Sequence, residues 1–403
     1  MQFMKRYLVG GVVRDRLLGM EVKDRDWLVT DTTPDQLLQN GYIQVGRDFP
    51  VFLHPKTKEE HALPRSERSG IENRTPTLEQ DLERRDLTIN AMAMDENGEI
   101  IDPCSGQQDL KDRLLRHTPA FREDPIRVLR LARFAARFHE LGFKVADETR
   151  NLVQEMVLNR ELDNLVPERC FAELHKALTE KQPDIFFREL RASGALKAVI
   201  PELDKLFGVP QPEKHHPEID SGIHSLLTLK QAARLSDDPQ VRYAAIMHDL
   251  GKGVTPQTEW PRHIGHEQRG VPLVNIVSRK LGVPNEWNRL AKHVARHHLD
   301  CHRAMELRPQ TILKLLQNLD ALRQPDRFER FLTACHADLL GRPGREQEEY
   351  PQADLLRRAR DAALNIDASA LTKGMQDGKE IAAKLQRVRI QAIKQTKQDF
   401  KLG

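Results

Sequence analysis

The sequence predicts an α+β protein, with a small mixed α/β head at the N-terminus and a long all-helical remainder behind it. Two observations carry this. Strand-like runs, at Tyr7 to Val9, Asp24 to Val29, Val51 to Leu53 and Glu59 to Leu63, lie only near the N-terminus. From about Leu110 onward amphipathic helical periodicity takes over, punctuated by Pro119, Pro167, Pro201, Pro210, Pro212 and Pro343.

In chain order, Gly10-Gly11 makes a tight turn between the first strand and an amphipathic helix that carries Arg14. A Gly-Gly turn at a helix N-terminus can hold phosphates with backbone N–H groups. Asp24 and Asp26 are two apart in a predicted strand, so both carboxylates project to one face while Trp27 and Val29 face the other way. Converging carboxylates suit Mg²⁺, which takes one or two of them plus substrate phosphates. By itself the D-x-D pattern fits a polar strand end equally well. Thr33-Pro34 reads as a helix start, and Glu96-Asn97-Gly98 as a hairpin turn between Ala91 to Met94 and Ile100-Ile101.

Lys111 to Arg137 holds eight Lys/Arg against three Asp/Glu. Pro125 is expected in the first turn of a helix there, and a helical projection puts Glu123, Asp124, Arg127 and Arg130 on one arc, with Arg133 and Arg137 at its edge. A surface ion-pair ladder would read the same way. A carboxylate beside a guanidinium has a sharper use. It matches the exocyclic amine and ring-nitrogen acceptor shared by cytosine and adenine, and leaves buried groups unpaired against uracil or guanine.

With 403 residues, 39% hydrophobic and 31% charged, the chain has room for several packed domains. No apolar run is long enough to span a bilayer, and the N-terminal residues lack a signal-peptide plan. Four scattered cysteines without C-x-x-C argue against a thiolate zinc site and fit a reducing cytoplasm. A net charge of +3 confines nucleic-acid contact to local patches, and the basic tail from Lys379 to Lys401 fits a solvated helix at least as well as a contact with RNA phosphates.

Five stretches together resemble a known family. Leu8-Val9-Gly10-Gly11-Val12-Val13-Arg14-Asp15, Lys23-Asp24-Arg25-Asp26, Arg84 to Ala91, Ile101-Asp102-Pro103-Cys104-Ser105-Gly106 and Glu123-Asp124-Pro125-Ile126-Arg127 occur in the order and at the spacing of the class II tRNA nucleotidyltransferases. These are the CCA-adding enzymes and their relatives among bacterial poly(A) polymerases. The resemblance runs along nearly the whole chain and looks like the gammaproteobacterial multifunctional CCA type. It implies a polymerase β-like nucleotidyltransferase head, with Asp24 and Asp26 as catalytic Mg²⁺ ligands and Gly11, Arg14, Arg85, Arg130 and Arg133 as nucleotide-binding positions. Asp124 and Arg127 would be the amino-acid template for the incoming CTP or ATP, and the 3′ end of tRNA the acceptor. Asp86 and Asn90 would order the sugar side and the core of the head.

A second constellation follows. His224, His248-Asp249, His266, His298 and Asp338 are spaced as in the HD phosphohydrolases, with Leu250-Gly251-Lys252-Gly253 after the His-Asp pair. Mixed imidazole and carboxylate ligands favour a transition metal, Ni²⁺ or Mn²⁺. The resemblance implies phosphatase, 2′-nucleotidase and 2′,3′-cyclic phosphodiesterase activities. His215, His216, His263, His293, His297, His302 and His336 are expected at the surface. The resulting division is a head at 1–118, a neck and body for base selection and tRNA binding at 119–220, an HD domain at 221–340 and a helical tail at 341–403, in a monomer or homodimer.

One departure bears on activity. After Arg68 only 69–76 separates a strand from the next helix, without an aromatic residue, and Pro64 stands where the family has a small one. In the family a longer loop here is linked to the switch from C to A addition, so a CC-adding enzyme with weak A addition is the alternative. A poly(A) polymerase, or an HD hydrolase whose head only binds nucleotide or RNA, are the further alternatives.

Overall fold

The computed structural model describes residues 4–22, 25–45, 51–64, 76–214, 217–372 and 374–402. Asp24, Lys23, the 69–75 part of the short segment, His215 and His216 lie outside the described residues. The chain divides into two compact units, Met1–Leu165 with Ala192–Ala195, and Val166–Arg191 with Leu196–Gly403.

The first unit is built on a sheet whose described strands are β1 (Lys5–Val9), β2 (Asp26–Thr30), β3 (Ile43–Val45), β4 (Val51–Leu53), β5 (Glu60–Ala62), β6 (Ala93–Met94) and β7 (Ile100–Ile101). Their order is β3-β4-β5-β2-β1-β6-β7, antiparallel except where β2 runs parallel to β5. Between them run α1 (Gly11–Leu17), α2 (Pro34–Gln39) and α3 (Leu78–Glu83). Alternation along β2 serves both faces of the sheet. Leu28 packs with Val9, Leu78, Leu82 and Ala93, while Val29 packs with Leu37, Tyr42 and Phe52. Each such side chain, fully buried, contributes on the order of 1.5–3 kcal/mol.

Local chemistry sets the helix starts. Thr33 and Gln36 form a reciprocal capping box with Pro34 just inside α2, as the sequence predicts, and Thr77 with Gln80 does the same for α3. The Ile101 to Gly106 motif is a cap as well. Both oxygens of Asp102 accept backbone N–H groups, from Gly106 at 2.7 Å and Gln107 at 2.9 Å, and open α4 (Gly106–Asp112).

The unit continues through α5 (Arg127–Phe138) and α6 (Asp147–Leu158). Strand signals do not end at Leu110: β8 (Leu114–Leu115) and β9 (Lys144–Val145) pair in parallel. Two-residue strands are too short for alternation to show. The arc across Glu123 to Arg130 also needs correcting. Glu123 closes a separate 3₁₀ turn, and Asp124 is extended at φ −139° and ψ 98°, as steric conflict with the following Pro125 requires. Pro125 does open the first turn, through tight bonds from Arg127 N–H to the Asp124 carbonyl at 2.9 Å and from Val128 N–H to Pro125 at 3.2 Å.

Apart from an isolated bridge between Pro210 and Asp220, the described residues of the second unit form helices and their connections. It begins with α7 (Pro167–Thr179), α8 (Asp184–Ala192), α9 (Ala195–Val199) and α10 (Pro201–Asp204). The bundle of α11 (Ser221–Leu235), α12 (Pro239–Met247), α13 (His266–Lys280) and α14 (Asn285–His302) follows. After α15 (Pro309–Asn318), α16 (Pro325–Leu340) packs back on α11, α12 and α14. Then come α17 (Pro351–Leu364), α18 (Ala368–Thr372) and α19 (Gly378–Leu402), with α19 packed on α15 and α17. Leu229, Ala245, Val294 and Phe331 are among the buried residues of this bundle. No described helix is long and apolar enough to cross a membrane, and all four cysteines are free thiols.

Candidate active site and metal centre

In the head, the turn ahead of α1 depends on Gly10. Its φ is +70°, and an added Cβ would lie 2.6 Å from an Arg85 guanidinium nitrogen. Gly11 opens the helix and is half-buried; Asp26 opens β2 and is exposed.

Beneath the turn runs a chain of polar groups. Arg137 donates to Asp15 at 3.0 Å, and Arg14 Nε donates to the other oxygen of the same carboxylate at 2.8 Å. Arg14 also donates to the Asn90 side-chain oxygen. The Asn90 amide donates in turn to Asp86 Oδ1 at 2.9 Å, and Arg130 Nε donates to Asp86 Oδ2 at 2.8 Å. The rings of Phe134 and Phe138 lie 5.2 and 5.0 Å from the Arg14 guanidinium.

Burial opposes charge on both Arg14 and Asp86. For Arg14 burial prevails and its pKa falls below the usual arginine value. For Asp86 the Arg130 charge and the bonds from Asn90, Arg130 and the Leu87 N–H outweigh burial, so its pKa lies below the usual value. Arg14 and Arg133 are therefore buried residues of the head, whereas Arg85, Asp124, Arg127 and Arg130 are half-buried. Arg85 donates to Asp81 at 3.1 Å, and Arg127 donates to the carbonyls of Ala120 and, at 2.6 Å, Arg84. The Arg127 fork is thus anchored to two backbone segments at once.

In the helical unit, α11, α12, α13, α14 and α16 bring all six sequence-identified residues together. His224, His248 and Asp338 form one group, and Asp249, His266 and His298 another; within each, one ligand atom per residue lies within 4.8 Å of the others. All six are buried. The close passage of the Leu250-Gly251 segment requires glycine, because a Cβ on Gly251 would overlap the His266 carbonyl.

The donor set fits a metal. His248 Nδ1 bonds the Ala245 carbonyl at 2.7 Å, His266 Nδ1 the His263 carbonyl at 2.9 Å, and His298 Nδ1 the Val294 carbonyl at 3.0 Å. A carbonyl only accepts, so each Nδ1 carries the hydrogen and each Nε2 offers a lone pair. His266 Nε2 and His298 Nε2 lie 3.3 Å apart, and His266 Nε2 is 3.2 Å from Asp249 Oδ1. Lone pairs and a carboxylate converging on one point are stabilised by a cation among them.

Burial pushes His298 well below the usual histidine pKa. It also disfavours charged His248, but Asp249 and Asp338 outweigh it and raise that pKa. Burial likewise works against charge on Asp249 and Asp338. His248 and Lys252 overcome it for the first, His302 and Arg342 for the second, and both carboxylates stay well below their usual range.

None of the five described histidines expected at the surface is exposed, and His293 and His336 are half-buried. His263, His297 and His302 are largely buried. His263 bonds the Pro210 carbonyl at 2.7 Å, His297 bonds Asp300 at 2.9 Å, and His302 bonds Asp338 Oδ2 at 2.6 Å. For His302 the sequence did hold a signal, since it follows His298 by one helical turn on the same face.

Known proteins share this division into head and helical domains. Residues 6–116 match the poly A polymerase head domain family, 142–207 the probable RNA and SrmB-binding site of polymerase A, and 222–323 the HD domain family. The multifunctional CCA protein of Thioalkalivibrio sulfidiphilus is 56% identical, with 98% of this chain and 100% of that protein covered. That of Hahella chejuensis is 52% identical, with 98% and 96% covered. Among solved structures, a CCA-adding enzyme with ATP shares the fold at TM-score 0.67 and 21% identity, covering 97% of this chain and 86% of that one. The Thermotoga maritima CCA-adding enzyme in complex with tRNA shares it at TM-score 0.63 and 20% identity, covering 99% and 91%. With whole-length identity above half to such relatives, and both the head and the HD bundle in place, the chain belongs to the multifunctional CCA protein family.

Proposed function

We propose that this chain adds and repairs the 3′-terminal CCA of tRNA, using CTP and ATP without a nucleic-acid template, and that its HD centre hydrolyses phosphate esters. The observation that carries the first part is the buried chain Arg137–Asp15–Arg14–Asn90–Asp86–Arg130. It ties the glycine turn to α5, the helix that begins at Arg127, so a triphosphate at the turn and a base at Arg127 would be held in fixed relation.

In this reading Asp24 and Asp26 hold Mg²⁺, whose hard-oxygen preference their carboxylates meet. When bound, that ion supplies charge stabilisation at the attacking and leaving oxygens of an in-line displacement. Gly11, Arg85 and Arg130 line the nucleotide, and the buried Arg14 and Arg133 act from below, Arg14 by fixing Asn90 and the turn. Asp124 accepts from the exocyclic amine of C or A, and Arg127 donates to the adjacent ring nitrogen. Uracil and guanine leave both groups mismatched.

The helical centre, with its Nε2 lone pairs and ionised Asp249 and Asp338, would hold Ni²⁺ or Mn²⁺. Such a metal supplies an activated water for attack on phosphate esters. Phosphatase, 2′-nucleotidase and 2′,3′-cyclic phosphodiesterase activities would let one protein clean a damaged tRNA end and rebuild it. The parts at 1–118, 119–220, 221–340 and 341–403 would then divide the labour as transferase, tRNA support, hydrolase and tail, in a cytoplasmic monomer or homodimer.

Incubating the protein with tRNA lacking its 3′ end, Mg²⁺ and each NTP singly tests the assignment. CTP-dependent growth supports it. A ladder with ATP alone would indicate polyadenylation, and no growth would leave the head as a binding module.

A further inference from the structure

His302 and Tyr350 stand outside both groups of metal-ligand candidates, yet they are bonded to one of them. Asp338 Oδ1 lies 3.0 Å from His224 Nε2 and 3.8 Å from His248 Nε2, facing the first group. Its other oxygen, Oδ2, bonds His302 Nε2 at 2.6 Å. An ionised carboxylate only accepts, so His302 Nε2 carries the hydrogen. That arrangement is the reverse of His248, His266 and His298, whose hydrogens sit on Nδ1. His302 therefore presents no Nε2 lone pair to a metal.

Its remaining nitrogen, Nδ1, accepts from the Tyr350 hydroxyl at 2.9 Å, and Cys301 Sγ lies 3.3 Å from the same oxygen, which has only the one hydrogen to give. The relay is shielded, with His302 13% exposed by side chain and Tyr350 7% exposed. The His336 ring stacks on Tyr350 at 5.2 Å. Tyr350 immediately precedes α17, so the relay joins α14, α16 and the start of α17 at a single carboxylate.

We propose that His302, oriented by Tyr350, is a positioning residue that restricts Asp338 to binding metal through Oδ1 alone. With Oδ2 held by His302, the carboxylate cannot swing to bidentate coordination, and Oδ1, which also accepts from Arg342 at 3.4 Å, stays aimed between His224 and His248. Outer partners of this kind commonly change metal affinity by about 10–100-fold. The inference rests on the reading of the HD cluster as a divalent-metal centre.

The test is direct titration of the metal-stripped full chain with Ni²⁺ by calorimetry, with the thermal midpoint of each stripped protein as the folding control. H302L is expected to weaken Ni²⁺ binding by about 10–100-fold. H302Q keeps an N–H donor at the Nε2 position and is expected to recover most of that loss. Y350F keeps the ring stacked on His336 and is expected to produce a smaller loss. Should H302L fail to fold, the comparison of Y350F and H302Q with the unaltered chain decides the matter. Wild-type affinity in Y350F together with equal weakening in H302Q and H302L would overturn the relay, as would wild-type affinity in a folded H302L. Failure of the unaltered chain to take up Ni²⁺ or Mn²⁺ would instead overturn the underlying metal assignment.

Discussion

His266 Nε2 and His298 Nε2 face each other across 3.3 Å, each with its hydrogen on the opposite ring nitrogen. Two lone pairs at that distance are stabilised when a cation lies among them and Asp249. Ni²⁺ in hundredfold excess over its Kd is therefore expected to raise stability by about 2.7 kcal/mol, read as a higher thermal midpoint that a chelator reverses. H266A with H298A should remove the shift. A midpoint indifferent to both Ni²⁺ and Mn²⁺ would refute the metal centre.

Replacing both His248 and Asp249 with alanine is expected to abolish hydrolysis of a 2′,3′-cyclic nucleotide and leave nucleotide addition to tRNA unchanged. The candidate residues of the two chemistries lie in different compact units. Assaying both activities on one preparation checks this, and joint loss of the two in a folded protein would contradict separable sites.

Asp86 makes the head sensitive to acid in a defined direction. Its folded pKa lies below the unfolded value because Arg130 and the local hydrogen bonds outweigh burial. The unfolded chain therefore binds the proton more readily, so the contribution is complete above the unfolded pKa of about 3.9 and is lost as pH falls through the lower folded value. D86N should lower stability at neutral pH by about 1–3 kcal/mol, a range kept modest because Arg130 is one-third exposed by side chain. It should also flatten the acid limb of a midpoint-versus-pH curve, and an unchanged limb would refute the assignment.

Arg127 has two jobs in this account, selecting the base and bonding the carbonyls of Ala120 and Arg84. R127A is expected to cost about 1–3 kcal/mol through those unpaired carbonyls, and to reduce discrimination of CTP over UTP by at least roughly tenfold. R127K keeps the charge but not the fork, so it should also lose discrimination. Competition between CTP and UTP in single-nucleotide addition measures this.

Much of this was legible in the residues themselves. The capped helix at Thr33 and the 95–99 hairpin follow from local chemistry, and the resemblance to the HD spacing picks out the six residues that cluster in the helical unit. What was not legible depends on tertiary contact or on very short elements. β3 lies at the sheet edge with all three residues exposed, so no apolar run marks it, and the two-residue β8 and β9 pair is too brief for periodicity. Asp124 was placed on a helical arc, whereas the proline after it holds it extended. Arg14, a nucleotide-binding position by the family resemblance, is held by Asn90, Phe134 and Phe138, partners remote in sequence. The spacing from His298 puts His302 on the same helix face, but its partners Asp338 and Tyr350 come from other segments.

The most direct test of the central claim is the length of product made from tRNA lacking its last three nucleotides, with CTP, ATP and Mg²⁺ supplied together, for the intact chain and for D26A. Growth by C, C and A that stops there is expected, with loss of growth by at least about a hundredfold in D26A, since even partners of metal ligands are worth 10–100-fold. Growth halting after the second C would contradict complete CCA addition by this chain, and undiminished growth in D26A would contradict the head chemistry itself.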